Sequence, residues 1–348
     1  MYYVFTAPNL LLFLQSFTFL ITSIFALSTP SISTPTNEFG ENSLRYTYAF
    51  TTASGLPVCR YGLGGAARSS QPKSLPSVYY DYLKSKNDKD GEHRIGMDEI
   101  GGAPFYFYYN PHRYPAFMSG IKELLNSASD NNEISRKDVF VASGGTDRSF
   151  DQMEKRLTDA LEYCCGEYLD LFVLEYVCPH EMNSSDIQKA IEQALSWVDA
   201  GKVRYIAAST HSHVVGAALA KHAGIDALML RYNMAHKYAA ESLSFASCLI
   251  YNKPVIAFTS TRWNALQRNH ESWDEDPPTT GDCLSFALAV SPPVEVLLHS
   301  ARDEVELEEA LNGIQKMPRE EVLKWKMYGD LNWNDDGFDE YPEERLIE

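Results

Sequence analysis

The sequence predicts an α/β protein, a (β/α)8 TIM barrel with an N-terminal β-hairpin, and three observations support this fold class. Eight short apolar runs alternate with eight amphipathic segments between residues 58 and 316. The fourth run, residues 169–177, is almost continuously apolar, which is typical of a strand covered on both faces. Residues 62–65, at the end of the first run, read G-L-G-G and lack the G-x-G-x-x-G turn of a doubly wound sheet. Repeated strand–helix units without that turn favour a closed parallel barrel.

The elements are predicted in chain order from the period of their apolar residues. Residues 46–54 alternate and then turn at Gly55, which predicts the hairpin. The predicted strands are residues 58–63, 105–109, 139–142, 169–177, 203–208, 227–232, 255–259 and 294–299. The predicted helices are residues 77–86, 116–127, 151–163, 185–200, 214–222, 241–249, 282–289 and 305–316. Helix 185–200 is the clearest, because Ile187, Ile191 and Leu195 recur with the 3.6-residue period and Gly201 ends it.

Charge and cysteine content narrow the function classes. The formal net charge of −17 argues against nucleic acid or an anionic membrane surface as the main partner, so a small-molecule substrate is expected. The 6 cysteines include no C-x-x-C pair, which argues against a disulfide framework or a zinc site. No metal ligand set is predicted.

The two ends of the chain are predicted to lie outside the barrel, which spans residues 46–316. Residues 1–37 carry no charged side chain, and residues 10–27 are mostly apolar. This predicts a cleaved signal segment that enters the secretory pathway, with onward delivery to a plastid suggested by the hydroxyl-rich stretch that follows. Because no Lys or Arg precedes the apolar run, an uncleaved membrane anchor is the alternative. Residues 317–348 are predicted to form an acidic C-terminal extension, with a solvated end from Asp330.

Several motifs in order resemble the aldo/keto reductase family. They are S-G-L-P-V-C-R-Y-G-L-G-G at the first strand, R-K-D-V-F-V-A-S at the third, Y-L-D-L at the fourth, G-K-V-R-Y-I at the fifth, R-Y-N at the sixth and A-F-T at the seventh. E-Y-V-C-P, R-Y-N-M-A-H and F-T-S-T-R-W resemble a narrower cyanobacterial and algal group. The resemblance implies carbonyl reduction with NADPH. In the family a tyrosine acts as the acid, assisted by a lysine, an aspartate and a histidine.

This chain departs from the family pattern at the catalytic positions. The aspartate position falls near Phe107, the lysine position on Gly144 and the histidine position on Glu175. Tyr114 is the best-placed tyrosine, with Tyr108 and Tyr109 as alternatives. Glutamate in place of histidine resembles the family's steroid double-bond reductases, where a protonated glutamate acts.

Glu175 is predicted to pair with a cation, and if that cation points away, burial is expected to raise the pKa of Glu175 and leave it able to donate a proton. Inward positions recur every two residues, so Glu175 and Arg231 are both expected to point into the barrel. A guanidinium close by would keep the carboxylate ionised and depress its pKa. Arg204 or His211 is expected near the pair.

The resemblance implies a cofactor site for NADP(H) at the ends of the later strands. Met229 and Glu306 each stand at a position where the family has glutamine. Arg302 is predicted to contact the 2′-phosphate at a helix N-terminus. The implied contacts are Ser209, Thr210, Phe258, Thr259, Thr261, Ser300 and Arg302.

Two functions remain open from the sequence. The first is an NADP(H)-dependent oxidoreductase with a substituted catalytic tetrad. The alternative is a catalytically inactive barrel that binds a nucleotide, a metabolite or a protein partner.

Overall fold

The computed structural model describes residues 50–65, 71–87, 101–108, 114–131, 134–163, 166–182, 184–290 and 293–333. The chain divides into two units between Thr47 and Tyr48, and every described residue belongs to the second unit. The predicted targeting segment and the alternative acid Tyr109 lie outside the described residues. The part of the predicted extension beyond residue 333 does so as well.

The described residues form a closed parallel barrel, as the sequence predicts. Each strand pairs with the next one along the chain, and the last strand pairs with the first. The strands are β1 (Val58–Gly64), β2 (Ala103–Tyr108), β3 (Phe140–Gly145), β4 (Leu169–Leu174), β5 (Val203–Thr210), β6 (Ala227–Arg231), β7 (Val255–Phe258) and β8 (Val294–His299). All of these strands are predicted within a few residues. The largest differences are in β3, which ends at Gly145 rather than at Ala142, and in β4, which ends at Leu174 rather than at Val177.

The barrel interior is an apolar core built from alternate residues of the strands. Its members include Phe105, Phe107, Val173, Met229 and Phe258. Phe50 packs edge-on against Phe105 and Phe140, at ring-centroid distances of 6.4 and 5.6 Å, and so closes the amino-terminal end of the barrel. The described part of the predicted hairpin consists of the single antiparallel bridge Thr51–Pro57 and a turn at Gly55, whose φ is 88°.

Helices surround the barrel, and each predicted helix is present. The helices are α1 (Leu75–Asn87), α2 (Pro115–Asn131), α3 (Phe150–Tyr163), α4 (Ser185–Asp199), α5 (His213–Ala220), α6 (Ala246–Ile250), α7 (Thr280–Leu288), α8 (Glu304–Gly313) and α9 (Arg319–Leu331). A π-helical segment, Ala240–Phe245, leads directly into α6. Among the described residues, no helix is both long and apolar enough to cross a bilayer.

Helix α9 was not predicted, and it packs onto the barrel. Trp325 and Tyr328 are buried, and the Tyr328 hydroxyl donates to the carbonyl oxygens of Leu266 and Arg268. Asp330 accepts a hydrogen bond from the buried Lys237 in the loop after β6. The predicted C-terminal extension therefore begins with a packed helix, and Asp330 belongs to that helix rather than to a solvated end.

Candidate active site

The candidate site lies where the carboxyl ends of β3 to β7 meet. Met229 and Phe258 face the barrel interior, whereas Leu228 and Leu230 pack between the barrel and the helices. The same alternation directs Arg231 inward at the carboxyl-terminal mouth, and Glu175 follows directly after β4 at the same end of the barrel. In barrels of this kind the chemistry takes place at this end, so these two buried ionisable groups define the candidate site.

Glu175 is a buried carboxyl group without a compensating partner. Its side chain is 5% exposed, and its Oε1 atom has no hydrogen-bond partner. Burial raises the pKa of Glu175 to about 8, against the smaller opposing effects of Arg156 and Arg148. Glu175 is therefore mostly protonated near neutral pH and can donate a hydrogen bond.

The predicted ion pair between Glu175 and Arg231 is wrong. The two cations that influence Glu175 are Arg148 and Arg156 of the β3–α3 region, and neither forms an ion pair with it. Arg148 is already used, because Nη2 donates to the backbone carbonyl of Glu175 at 2.6 Å and Nε pairs with Glu181 at 3.1 Å. The guanidinium of Arg156 similarly faces Asp147, at 3.4 Å.

The expectation that Arg204 lies near Glu175 is wrong as well. Arg204 Nη1 pairs with Asp170 at 2.6 Å, and Arg136 Nη2 pairs with the same carboxylate at 2.8 Å. Asp170 and Arg204 lie near the beginnings of β4 and β5, at the opposite end of the barrel from Glu175. Asp170, the polar residue near the start of β4, therefore belongs to a structural ion pair.

Arg231 is a buried guanidinium for which the described residues provide no counterion. Its side chain is 6% exposed, and its Nε has no hydrogen-bond partner. Nearby lie His213, which shares a 2.9 Å hydrogen bond with Ser244, and His236. Burial, and after it Arg231, lowers the pKa of His213 to about 3 and that of His236 to about 2. Both imidazoles are therefore neutral near pH 7.

An aromatic row crosses the mouth between β4 and β7. The ring of Tyr176 lies 4.8 Å from that of His211, and His211 lies 5.5 Å from Phe258. Tyr176 has a φ of 56°, which holds it in the left-handed region directly after Glu175. Its backbone N–H donates to Ser209 Oγ at 2.9 Å. The Ser209 hydroxyl therefore keeps its own hydrogen for a ligand.

The loop after β7 contains several residues in the left-handed region. Thr259, Arg262, Trp263 and Asn264 have φ values between 51° and 65°. Such conformations cost on the order of 1 kcal/mol or more per residue and concentrate at functional sites. Ser260, which was not predicted as a site residue, is buried there and its hydroxyl has no partner. The sequence signal that could have identified Ser260 is its position in the F-T-S-T-R-W motif.

The sequence profile of the Aldo/keto reductase family matches residues 96–282, more than half of the 348 residues. The chain belongs to the aldo/keto reductase family. Among solved structures, aldo-keto reductase AKR11C1 of Bacillus halodurans in its apo form is similar at 14% identity, with a TM-score of 0.53. The match covers 77% of this chain and 91% of that one.

A second similar structure is the thermostable aldo-keto reductase Tm1743 in complex with the inhibitor epalrestat. It has 17% identity and a TM-score of 0.53, and the match covers 77% of this chain and 94% of that one. At such identities the two structures support the barrel fold. None of the curated proteins matches the chain.

Phe107 and Gly144, which the resemblance places at the family's aspartate and lysine positions, carry no ionisable side chain. Phe107 belongs to the apolar barrel interior. Gly144 lies in β3, and a Cβ placed on it would meet the backbone carbonyl oxygen of Val173. A lysine at residue 144 would therefore require the β3–β4 backbone to move.

The two described tyrosine candidates, Tyr108 and Tyr114, lie in the layer between barrel and helices. The Tyr108 hydroxyl donates to the carbonyl of Ala160 on α3 at 3.3 Å, so Tyr108 is a packing residue. Tyr114 is buried just before α2, with its ring against Gly65 at the carboxyl end of β1. It belongs to the outer cluster rather than to the barrel interior that contains Phe107.

The predicted cofactor residues divide into those that can contact a ligand and those that the fold already uses. Thr210 is fully buried, donates to the carbonyl of Val177 at 2.8 Å and accepts from the N–H of Ser212 at 3.0 Å. Thr259 Oγ1 donates to its neighbour's carbonyl, and Ser300 Oγ donates to the carbonyl of Gly65 at 3.4 Å. Thr261 is buried in the loop after β7.

The predicted phosphate position at the start of α8 is occupied by a carboxylate of the chain itself. Glu306 Oε2 accepts from the backbone N–H of Arg302 at 2.6 Å and from Arg302 Nε at 3.0 Å. Asp303 caps the same helix by accepting from the Glu306 N–H at 2.9 Å. The Arg302 side chain is 66% exposed. An anion bound at this helix start would therefore lie close to the carboxylates of Asp303 and Glu306 as well as to Arg302.

These residues fit one end of a nicotinamide dinucleotide better than the other. Ser209 offers a hydroxyl donor, Phe258 offers a ring at the mouth, and Ser260 offers a buried hydroxyl without a partner. They suit the carboxamide, the nicotinamide ring and the pyrophosphate. At the adenosine end, Glu306 competes with a 2′-phosphate for Arg302.

Proposed function

We propose that this chain is a nicotinamide dinucleotide-dependent oxidoreductase in which protonated Glu175 is the hydrogen-bond donor and proton source. The observation that supports this most directly is the buried carboxyl group with an unpartnered Oε1 and a pKa raised to about 8. An acid with a pKa near the working pH is suited to general acid catalysis. With Phe107 and Gly144 at the implied aspartate and lysine positions, Glu175 is a buried carboxyl group at the mouth that can serve as the proton donor.

The proposed reaction is reduction of a carbonyl group, or of a C=C bond conjugated to one. The dinucleotide, when bound, supplies the hydride that the substrate carbon accepts. Glu175 donates its proton to the substrate oxygen as negative charge builds there, and the resulting carboxylate regains a proton from water. Ser209 and Phe258 orient the nicotinamide end. A carbonyl substrate leaves as an alcohol, and a conjugated one leaves as an enol that tautomerises to the saturated carbonyl compound.

The preference between NADPH and NADH is the finer part of the proposal. Arg302 is the residue that would contact a 2′-phosphate, as the family resemblance implies. Because Glu306 already pairs with that guanidinium, we expect NADPH to be bound with little advantage over NADH.

A second candidate function is favoured by Gly144 and by the position of Tyr114. With glycine at residue 144 and the two described tyrosine candidates, Tyr108 and Tyr114, in the outer layer, the barrel would bind a dinucleotide or metabolite without turnover. The two candidates differ in one observable, the consumption of a bound reduced cofactor.

The deciding experiment measures binding and turnover separately. Quenching or enhancement of NADH and NADPH fluorescence gives binding to the wild type and to the Glu175→Gln and Glu175→Asp variants. Oxidation of the cofactor is then followed with 4-nitrobenzaldehyde and with 2-cyclohexenone between pH 5 and pH 10.

The proposal expects kcat/KM to fall as the pH rises above about 8, where Glu175 loses its proton. Glu175→Gln should lose roughly 10²-fold or more in kcat while the dissociation constant of the cofactor stays within about threefold. Binding without any oxidation in the wild type would support the non-catalytic barrel instead. Equal turnover by wild type and Glu175→Gln would exclude Glu175 as the acid.

A further inference from the structure

Arg231 is the buried charge that the proposed reaction does not use. It lies at the last position of β6, in register with Phe258 on β7, and the alternation along β6 directs it into the mouth. No ion pair or side-chain hydrogen bond connects it with another described residue, and its side chain is only 6% exposed. A buried guanidinium without a counterion is unfavourable, because no carboxylate compensates for its lost hydration.

The charges around Arg231 define what could neutralise it. His213 and His236 are the nearby ionisable groups whose pKa it lowers, and both are neutral at pH 7. Arg262 is a second buried cation that lowers the pKa of His236, and its guanidinium donates to the backbone carbonyl of Asn332. Arg262 already donates to a backbone carbonyl, whereas Arg231 makes no hydrogen bond to a described residue and so presents its planar fork to a ligand. A single carboxylate matches that fork in both charge and shape.

We infer that Arg231 binds the carboxylate of the substrate, so that the preferred substrates are carbonyl compounds that carry a separate carboxylate group. This inference rests on the proposed function for the identity of the reacting group. It does not rest on turnover, because the anion site should bind its ligand whether or not a hydride is transferred.

The inference also accounts for the separation of the two buried ionisable groups. Arg231 is not among the charges that shift the pKa of Glu175. The mouth thus presents a neutral hydrogen-bond donor on the β4 side and a cation on the β6 side. A substrate with a reducible carbonyl at one end and a carboxylate at the other would satisfy both groups, and its orientation would be fixed.

The test uses a pair of ligands that differ only in charge. Calorimetric titration measures the binding of 4-formylbenzoate and of 4-formylbenzamide to the wild type and to the Arg231→Gln and Arg231→Lys variants. Binding of NADH is measured on the same samples by fluorescence, and the melting temperature of each free protein is recorded. Circular dichroism confirms that each variant is folded.

We expect the wild type to bind the benzoate at least about tenfold more tightly than the benzamide. Arg231→Gln should remove that preference, and Arg231→Lys should retain part of it, since the charge remains but the fork is lost. NADH binding should change by less than about threefold. The melting temperature of ligand-free Arg231→Gln should stay level or rise, because an uncompensated buried charge has been removed.

Three results would overturn the inference. In the first, the wild type shows no preference for the anion. In the second, the preference survives in Arg231→Gln. In the third, the substitution weakens NADH binding but leaves benzoate binding unaffected, which would place the guanidinium on the cofactor pyrophosphate. A retained anion preference in a protein that oxidises no cofactor would support Arg231 as an anion site and contradict the proposed reductase function alone.

Discussion

At the scale of single residues, Glu175 shows how much of a site a sequence can reveal. Its position in an otherwise apolar run was sufficient to single it out. Its partner could not be predicted, because the prediction treated β4 as continuing to Val177. The strand ends at Leu174, and Tyr176 turns the chain with a φ of 56°. Which cation a side chain meets depends on where such a turn occurs, and the alternation of a strand carries no information about it.

The raised pKa of Glu175 predicts a specific dependence of stability on pH. Between pH 4.5 and about 8 the carboxyl group is ionised in the unfolded chain but protonated in the folded one. The folded state then binds more protons, so this group makes the free energy of unfolding fall as the pH rises. A shift from 4.5 to about 8 corresponds to as much as about 5 kcal/mol.

Glu175→Gln should remove that dependence. Urea denaturation of both proteins from pH 5 to pH 9 should show the variant gaining stability relative to the wild type as the pH rises, with a plateau above about pH 8. Other titrating groups contribute equally to both proteins and cancel in the difference. A difference that is independent of pH would mean that Glu175 is ionised in the folded protein.

Gly144 offers a second residue-scale prediction with an adjacent control. A Cβ at residue 144 would meet the Val173 carbonyl oxygen, which is fixed in the β3–β4 ladder. A Cβ at residue 145 would lie 3.3 Å from Arg156 Nε, the far end of a flexible side chain. Gly144→Ala should therefore cost roughly 2 kcal/mol or more in the free energy of unfolding, and Gly145→Ala less than about 1 kcal/mol. Equal losses in urea denaturation would show that the β3–β4 backbone yields.

Glu306 and Arg302 provide a test of cofactor preference. Glu306→Gln would release the Arg302 guanidinium and remove one negative charge from the start of α8. We expect NADPH binding to improve severalfold while NADH binding stays nearly constant. Arg302→Ala, combined with Glu306→Gln, should abolish the improvement. If NADPH and NADH improve equally in Glu306→Gln, then Arg302 does not contact the 2′-phosphate.

At the scale of elements, the barrel was predictable because its strands and helices each have a clear apolar period. Helix α9 was missed because the prediction assigned residues 317–348 as a whole to an acidic extension, although its buried residues, Trp325, Tyr328 and Gly329, follow the i, i+3, i+4 spacing of a helix. Tertiary contacts with the barrel position helix α9. A glycine at residue 329 allows its backbone to approach the carbonyl oxygen of Met234, in the loop after β6.

This close approach predicts that α9 supports the loops of the candidate site. Gly329→Ala should displace the helix, since its Cβ would meet the Met234 backbone, and should weaken the contacts of Asp330 with Lys237 and of Asn332 with Arg262. We expect a lower melting temperature and weaker NADH binding. Met327→Ala is the control, because Met327 lies on the same helix and is 63% exposed. Equal effects of the two substitutions would argue against a supporting role for the α9 contact.

At the scale of the whole molecule, the overall charge and the charge of the site have opposite signs. The chain carries a formal net charge of −17, whereas the described mouth holds the buried cation Arg231 beside two neutral histidines. A dinucleotide or a carboxylate approaching from a distance is repelled by the molecule, and it is attracted only after it enters the mouth. The long-range and short-range electrostatic effects can therefore be separated by salt.

The association rate of NADH should rise with ionic strength. Between 10 mM and 150 mM salt the Debye length falls from about 30 Å to about 8 Å, which screens the net charge but affects a buried contact much less. Stopped-flow fluorescence should show the association rate constant increasing over this range, with the dissociation rate nearly constant. Arg231→Gln should leave that slope unchanged, because the slope reports the distant charges. A rate constant that falls as salt is added would mean that the cations at the mouth, rather than the net charge, govern the approach of anions.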